Sequence, residues 1–318
     1  YPIFHKGQEA VYVFFVLSGF LIIRSLYIEK STTGSIKIKN FYMRRVLRIL
    51  PLYIFILLSG ILYYNFFLKL IGIYYVADYD VANTVLLCLF FLPNVAAKLY
   101  HPGGVIEVLW SIGIEEQFYI IIAPILSCLR ANFFVKVLFY FSVFYFLLVA
   151  SSFFPILKKY DFFYYYFSFG GLLAVLNEKY KIHLLINKYL KLFLFILFII
   201  YFTTTFFSSF SFISYHLITM IVIGFFILSI SFNPIYKIEN KFIDYLGKIS
   251  YGIYMFHSIV MQLVGFILLK FKNMIVLSNT TLIILSYFLV ILITIITSHL
   301  SYQYFEKYFL KQKIKYRN

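Results

Sequence analysis

The chain has 318 residues, of which 63% are hydrophobic and only 13% are charged. Together with a mean hydropathy of +0.91, this composition excludes an ordinary soluble domain, in which about 25% of residues carry charge. The formal net charge of +16 does not require a nucleic-acid partner, because cytoplasmic loops of membrane proteins collect Lys and Arg beside anionic lipid headgroups. We therefore expect a polytopic membrane protein that contacts the lipid bilayer and no nucleic acid.

Apolar runs of about twenty residues recur along the chain, which is the length that an α-helix needs to cross a bilayer. They predict an all-α bundle of transmembrane helices. A shorter apolar stretch, Thr84–Leu92, stops at Pro93 and is predicted to be a re-entrant or surface helix. The nine predicted spans lie at about residues 10–28, 46–68, 105–129, 133–154, 161–177, 189–208, 211–232, 246–269 and 276–303.

The basic residues test this assignment through the positive-inside rule. If the first span runs from outside to inside, 21 of the 28 Lys and Arg residues fall on the cytoplasmic side. Counting Thr84–Leu92 as a further span would move the basic loop at 179–191 and the C-terminal tail outside, so we reject that alternative. The count predicts a cytoplasmic C-terminus.

The chain starts at Tyr1 without an initiator Met, and its first residues resemble the end of a helix. We therefore expect one further span before Tyr1, which would bring the total to ten. No linker, low-complexity segment or internal repeat divides the chain, so a single membrane domain is predicted over 1–318.

The least expected feature is a pair of adjacent acids inside an apolar run, in the segment LWSIGIEEQFY at 109–119. Ser111, Glu115 and Tyr119 are four residues apart and form one polar stripe. Glu116 lies about 100° around the helix, so the two carboxylates cannot face the same point. A structural ion pair would explain them, but acids within the membrane usually mark functional sites. We favour a site for a polar substrate.

A second basic feature precedes the second span, in the segment FYMRRVLRILPLY at 41–53. Arg45 and Arg48 are three residues apart and share a helix face. They would serve either as a positive-inside anchor or as a pair of guanidinium groups that binds phosphate or carboxylate in a bidentate manner. Coenzyme A carries such phosphates, and the residue chemistry leaves both interpretations open.

The segment LGKISYGIYMFH at 246–257 places Ser250, Tyr254 and His257 on one helix face. His257 would either transfer protons or hydrogen-bond a neighbouring helix, and the second is the more common role of a buried histidine.

Three further patterns carry weaker predictions. Ser18-Gly19, within the segment FFVLSGFL, would let a neighbouring helix approach closely. His299, Tyr302 and Glu306 form a stripe at the inner end of the last span, where Glu306 would be an interfacial residue without a chemical role. No metal-binding motif occurs in the sequence, so no metal is expected.

Five blocks of the chain, taken together and in this order, resemble the membrane acyltransferase type 3 family, which comprises integral-membrane O-acyltransferases of bacteria and eukaryotes. They extend over essentially the whole chain. The resemblance implies about ten transmembrane helices with both termini cytoplasmic, in agreement with the number reached from hydropathy. The blocks are FFVLSGFLI at 14–22, FYMRRVLRILPLY at 41–53, LWSIGIEEQFY at 109–119, LGKISYGIYMFH at 246–257 and SYQYFEKYF at 301–309.

The resemblance also implies an activity. Members of the family move an acyl group, often acetyl from acetyl-CoA, onto a hydroxyl of a cell-envelope glycan such as lipopolysaccharide O-antigen, exopolysaccharide or peptidoglycan. For this chain it implies an enzyme of the bacterial inner membrane that uses acetyl-CoA or another acyl-CoA and no metal. Some members append an extracytoplasmic esterase domain. This chain ends in a short basic tail and would act alone or with a separately encoded esterase partner.

The family's motifs map onto individual residues of this chain. The Arg-x-x-Arg motif corresponds to Arg45 and Arg48, which the resemblance makes the donor-binding residues. The family's catalytic His follows an Arg by about eleven residues; that Arg would precede Tyr1, and His5 is the candidate for the His unless the true counterpart also lies upstream. The candidate catalytic residues are His5, Glu115 and Glu116, and the candidate substrate-binding residues are Ser111, Tyr119, Tyr254 and His257.

A thioester is already activated, so such an enzyme must supply a base, charge stabilisation and positioning. We expect Arg45 and Arg48 to hold the donor phosphates while a His deprotonates the acceptor hydroxyl. Glu115 or Glu116 would orient that His or the acceptor. The competing class is a transporter or flippase of lipid-linked glycan intermediates, which would use the same acids and basic residues along a substrate path.

Overall fold

The computed structural model describes residues 6–70, 72, 79–232, 234, 239–271 and 278–316. These residues are almost entirely helical and include no β-strand, which confirms the predicted all-α fold. Their α-helices are α1 (Gly7–Thr33), α2 (Ile38–Leu62), α3 (Leu68–Leu70), α4 (Val81–Leu89), α5 (Pro93–Tyr100), α6 (Gly104–Glu107), α7 (Trp110–Cys128), α8 (Phe134–Ala150), α9 (Pro155–Lys159), α10 (Tyr164–Tyr180), α11 (Lys188–Thr203), α12 (Phe212–Ser231), α13 (Lys241–Phe271), α14 (Asn279–Ser301) and α15 (Lys307–Gln312).

The chain forms two compact units, each built from two separate stretches of sequence. The first unit comprises Tyr1–Ile38 and Ile114–Ile238, and the second comprises Lys39–Gly113 and Glu239–Asn318. The single domain over 1–318 stays a prediction.

Each of the nine predicted spans corresponds to a helix. Six helical stretches in the described part of the chain are long and apolar enough to cross a membrane, among them α1, α12 and α13. The other three predicted spans are α7, α10 and α11, with 19, 17 and 16 residues. The stretch at Thr84–Leu92 contains α4, which has only nine residues. Its helix is therefore too short to cross a bilayer, as predicted.

Polar side chains fix where several of these helices begin. The side chains of Asp80, Asn187, Ser211 and Ser278 each accept a hydrogen bond from a backbone N–H in the first turn of the helix that follows. Such caps satisfy donors that have no partner within the helix itself. At the other end of α1, Gly34 adopts a left-handed conformation with φ of 76°, which ends that helix.

The first unit is held together by close contact between the backbones of α1 and α10. A Cβ atom at Gly19 would overlap the carbonyl group of Phe167, and one at Gly170 would overlap the carbonyl group of Val16. Small residues at such a crossing let two membrane helices approach closely. The predicted packing role of Gly19 is confirmed, and Gly170 supplies the matching surface on α10.

In the second unit, hydrogen bonds attach α13 to α2, to the π-helical turn that follows α2 and to α6. Tyr251 Oη donates to the carbonyl oxygen of Ile49 at 2.9 Å, and Ser258 Oγ donates to that of Gly104 at 2.6 Å. Gln262 Nε2 donates to Tyr64 Oη at 2.6 Å. These bonds fix the face of α13 that carries Tyr254 and His257.

Candidate functional site

Glu115 lies in the first unit and is only 3% exposed. Its Oε1 atom accepts hydrogen bonds from Ser18 Oγ at 2.9 Å and from Tyr119 Oη at 2.6 Å. Glu115 makes no ion pair with any residue that the structure describes. The buried carboxylate is instead surrounded by neutral donors that hold its position.

The rest of this motif also faces the interior of the first unit. Glu116 is 7% exposed, so both adjacent carboxylates are buried. Tyr164 Oη donates to Gln117 Oε1 at 2.7 Å, and the Phe118 ring stacks on Phe167 with 5.0 Å between centroids. The segment at 115–119 therefore joins α7 to both α1 and α10.

A second buried polar cluster in the first unit had no counterpart among the sequence predictions. Lys6 Nζ lies 2.9 Å from Glu9 Oε1, and both residues are buried. Tyr215 Oη donates to the same carboxylate oxygen at 3.1 Å. The sequence gives no signal for this cluster, because Lys6 and Glu9 have the i, i+3 spacing of an ordinary surface pair at the start of a helix.

Ser111, Tyr254 and His257 belong to the second unit. Tyr254 Oη donates to the Val108 carbonyl at 3.0 Å and accepts from Ser111 Oγ at 2.5 Å. His257 Nδ1 lies 2.5 Å from the carbonyl oxygen of Tyr254, which can only accept, so Nδ1 is the donor and Nε2 has the free lone pair in the neutral imidazole. His257 can therefore accept a proton or hydrogen bond at Nε2. Ser250, by contrast, is exposed and bonds within its own helix.

The second unit also contains a cavity of about 340 Å³ at the ends of α13 and α14. Arg48 lines this cavity, whereas Arg45 is not among its lining residues, so the predicted pair is divided. Arg44 Nη1 donates to the carbonyl oxygen of Tyr316 at 2.8 Å. The lining residues are Arg48, Asp244, Gly247, Lys248, Tyr251, Tyr302, Glu306 and Leu310.

The stripe predicted at the end of the last span is broken by a π-helical turn over Tyr302–Glu306. His299 Nδ1 lies 2.7 Å from Tyr245 Oη. Tyr302 and Glu306 line the cavity instead, and Glu306 is only 7% exposed. Its position as a buried carboxylate beside Arg48 differs from the interfacial one expected from the sequence.

The structure does not test two of the predictions, the role of His5 and the lack of a metal. His5 lies outside the described residues. Within the described ranges, no group of three or more His, Cys, Asp or Glu side chains is arranged to hold a metal ion.

The sequence of the chain is similar to those of several known proteins. A "putative O-acetyltransferase" of Staphylococcus aureus (strain COL) is 35% identical over 130 residues, which cover 39% of this chain and 20% of that protein. The chain therefore matches about one fifth of the length of this relative. A "putative acetyltransferase" of Acidianus two-tailed virus is 28% identical over 273 residues, covering 83% of this chain and 76% of the relative.

No solved structure matches the chain significantly. The acyltransferase domain family, in contrast, matches residues 7–299 and thus spans both compact units. With that match, and with six helices in its described part that are long and apolar enough to cross a bilayer, the chain is a membrane protein that belongs to the acyltransferase domain family.

Proposed function

We propose that the protein is an integral-membrane O-acyltransferase that moves an acyl group, in the simplest case acetyl, from acyl-CoA to a hydroxyl of a cell-envelope glycan. O-antigen, exopolysaccharide and peptidoglycan are the acceptor classes. The reaction would take place in the inner membrane of a bacterium, with the C-terminus of the chain in the cytoplasm, where acyl-CoA is made.

The observation that carries the donor assignment is the environment of Arg48. Its guanidinium group lines a cavity and forms no hydrogen bond or ion pair with the residues that the structure describes. A guanidinium group without a hydrogen-bond partner among the described residues suits the phosphates of coenzyme A, because Arg binds phosphate through two parallel hydrogen bonds. Arg45, one turn earlier on α2, would add positive charge to the same end of the helix.

The chemistry requires few groups because the thioester is already activated. The acceptor oxygen attacks the acyl carbonyl carbon, the C–S bond breaks, and the acceptor proton finally resides on the released thiol. A His would hold that proton in transit, and His5 or a residue upstream of Tyr1 would fill this role. His257 would contact the acceptor through Nε2, supported by Tyr254 and Ser111.

Glu115 would act as a positioning residue in this scheme. Its carboxylate is held by Ser18 and Tyr119, so it offers a fixed negative charge in a region of low dielectric constant, where a charge acts over a longer distance. That charge would stabilise the protonated His that forms as the acceptor attacks. Glu116 and Tyr119 would contribute to the same environment.

The proposal is tested by acyl transfer in membranes that contain the full-length protein. Acetyl-CoA and a panel of envelope glycans are supplied, and thiol release is followed together with acyl groups on the glycan. Glycan-dependent thiol release is expected. Measurable transport of a glycan intermediate without any thiol release would contradict the proposal and favour the flippase.

A further inference from the structure

A group of charged side chains in the first unit lies beside the last turns of α10 and α12 and has no part in the proposed reaction. Arg24 Nε on α1 donates to Glu178 Oε1 on α10 at 2.7 Å. Lys181 Nζ, directly after α10, lies 3.9 Å from the other oxygen of the same carboxylate. Two cations therefore share one carboxylate, and the group carries a net positive charge of one.

The guanidinium group of Arg24 is held at one edge and on one face. Glu178 binds its Nε, and the ring of Phe232 at the end of α12 lies 5.2 Å from its Cζ. Its two Nη atoms form no hydrogen bond with any residue that the structure describes, and the side chain is 37% exposed. A fixed guanidinium group with its Nη edge open suits a phosphate, because two parallel N–H donors match two phosphate oxygens.

The loop after α10 is fixed against the same aromatic ring. The His183 ring stacks on Phe232 with 5.1 Å between centroids. Buried Asn177 faces the backbone N–H of His183 at 3.0 Å, and because an N–H only donates, the atom that it faces is the amide oxygen. The same oxygen accepts from His183 Nδ1 at 2.7 Å. These contacts hold the loop, and with it Lys181, beside Arg24, so the site is formed before any ligand binds.

The surroundings of the site indicate a lipid as the source of the phosphate. Arg24 lies about 26 Å along α1 from Gly7, at 1.5 Å per residue, which is close to the ~30 Å thickness of a hydrocarbon core. Leu184 and Leu185, next to His183, are 73% and 79% exposed, so apolar side chains open to a bilayer adjoin the charged group. A headgroup with one negative charge would neutralise the site, whereas a zwitterionic headgroup would leave its charge uncompensated.

We propose that this site, formed by Arg24, Lys181, His183 and Phe232, binds the phosphate of an anionic phospholipid such as phosphatidylglycerol. The Nη atoms of Arg24 and the Nζ atom of Lys181 contact phosphate oxygens, while Glu178 keeps Arg24 in place. Under the predicted topology, the lipid belongs to the cytoplasmic leaflet. The bound headgroup joins α1 to α10 and stabilises the protein, since a ligand that binds only the folded state opposes unfolding.

The test counts lipids bound to the full-length protein by native mass spectrometry, with phosphatidylglycerol and phosphatidylcholine of equal chain length as probes. The wild type should bind its first phosphatidylglycerol about tenfold more tightly than phosphatidylcholine. Arg24→Lys keeps the charge but loses the planar pair of donors, so phosphatidylglycerol affinity should fall about tenfold while phosphatidylcholine affinity stays unchanged. Lys181→Gln changes a side chain that is 58% exposed and should lower phosphatidylglycerol affinity about threefold, even if Arg24→Lys fails to fold.

Lys179→Gln is the matched control for Lys181→Gln. Lys179 is exposed and carries the same charge at the same end of α10, but its Nζ lies over the Tyr180 ring, 5.0 Å from the centroid. Its phosphatidylglycerol affinity should stay within about twofold of wild type. An equal loss in Lys179→Gln and Lys181→Gln would show only a general attraction between this basic helix end and anionic lipids, and would overturn the proposal.

Two other results would overturn it as well. Arg24→Lys could lower the melting temperature equally with and without phosphatidylglycerol while lipid affinity stays at the wild-type value. Arg24 would then serve only to join α1 to α10. Binding of inorganic phosphate or coenzyme A that falls in Arg24→Lys, in a protein that does not prefer phosphatidylglycerol to phosphatidylcholine, would assign the site to a soluble phosphate.

Discussion

The buried acidic residues of the two compact units have different surroundings. In the first unit, Glu115 is enclosed by closely packed helices and is hydrogen-bonded by neutral side chains. In the second unit, Glu306 shares a cavity with two cations and a second carboxylate and forms no ion pair with any of the described residues. The first arrangement fixes a charge in place, and the second keeps charges available to a ligand. Under the proposed function, the first environment would serve the chemical step and the second would serve donor binding.

The largest expected effect tests the rigidity of the first unit. Gly19→Val should abolish most of the folded yield, because the new side chain collides with the α10 backbone, at a cost of about 3 kcal/mol or more. Yield after detergent extraction and size-exclusion chromatography measures this. Gly265→Val on α13 is the control, since no atom lies within 4 Å of its Cβ position. Equal yields from the two variants would show that the α1–α10 contact is less tight than described.

The next effect concerns the charge held in that rigid environment. Glu115→Gln keeps the shape of the side chain and an acceptor for Ser18 and Tyr119, but it removes the charge. We expect kcat for acyl transfer to fall about 100-fold with the donor KM unchanged, as for loss of a group that acts in the transition state. Ser18→Ala, which removes only one donor, should lower kcat by less. A normal kcat in Glu115→Gln would show that this carboxylate serves packing alone.

A smaller effect is expected at the open cavity. Arg48→Lys keeps the positive charge but loses the planar pair of donors, so the donor KM should rise about tenfold while kcat and folded yield stay normal. Arg44→Lys is the matched control on the same helix, because Arg44 donates to the Tyr316 carbonyl and does not line the cavity. An equal rise in KM for both variants would attribute the effect to the general basic character of this helix end.

The last prediction concerns the topology of the chain in the membrane and is tested by labelling of single cysteines. For cytoplasmic positions, the expected result is the absence of labelling in intact cells. Lys188→Cys in the first unit and Lys311→Cys in the second should react with an impermeant maleimide only after cells are permeabilised. Lys159→Cys, on the predicted outer side, should react in intact cells. The background should carry Cys128→Ser, because Cys128 is exposed. Burial raises the pKa of the Cys88 thiol to about 12, which leaves it unreactive. Labelling of Lys188→Cys or Lys311→Cys in intact cells would contradict the predicted topology.

Much of the fold could be predicted because membrane helices are encoded locally. A run of apolar residues suffices to place α1, α12 and α13 within a few residues. The burial of Glu115 was predictable for the same reason, since the residues around it are apolar over the length of a span.

The cavity beside Arg48 could be predicted only in part. Arg48 was predicted from its spacing with Arg45, whereas neither Lys248 nor Asp244 was a candidate site residue. About 200 residues separate Arg48 from these two along the chain, and only the packing of α13 against α2 brings them to one cavity. The π-helical turn that directs Glu306 inward has no local sequence signal, so helical spacing grouped this residue with His299 instead.

The most direct test of the account is a transfer assay with radiolabelled acetyl-CoA, in which donor concentration is varied for the wild type, Arg48→Lys and Glu115→Gln. The wild type should transfer label to the glycan. Saturating donor should restore Arg48→Lys to the wild-type rate, because only donor binding is weakened, and should leave Glu115→Gln slow. Absence of transfer by the wild type, or an equal response of the two variants to donor, would contradict the account.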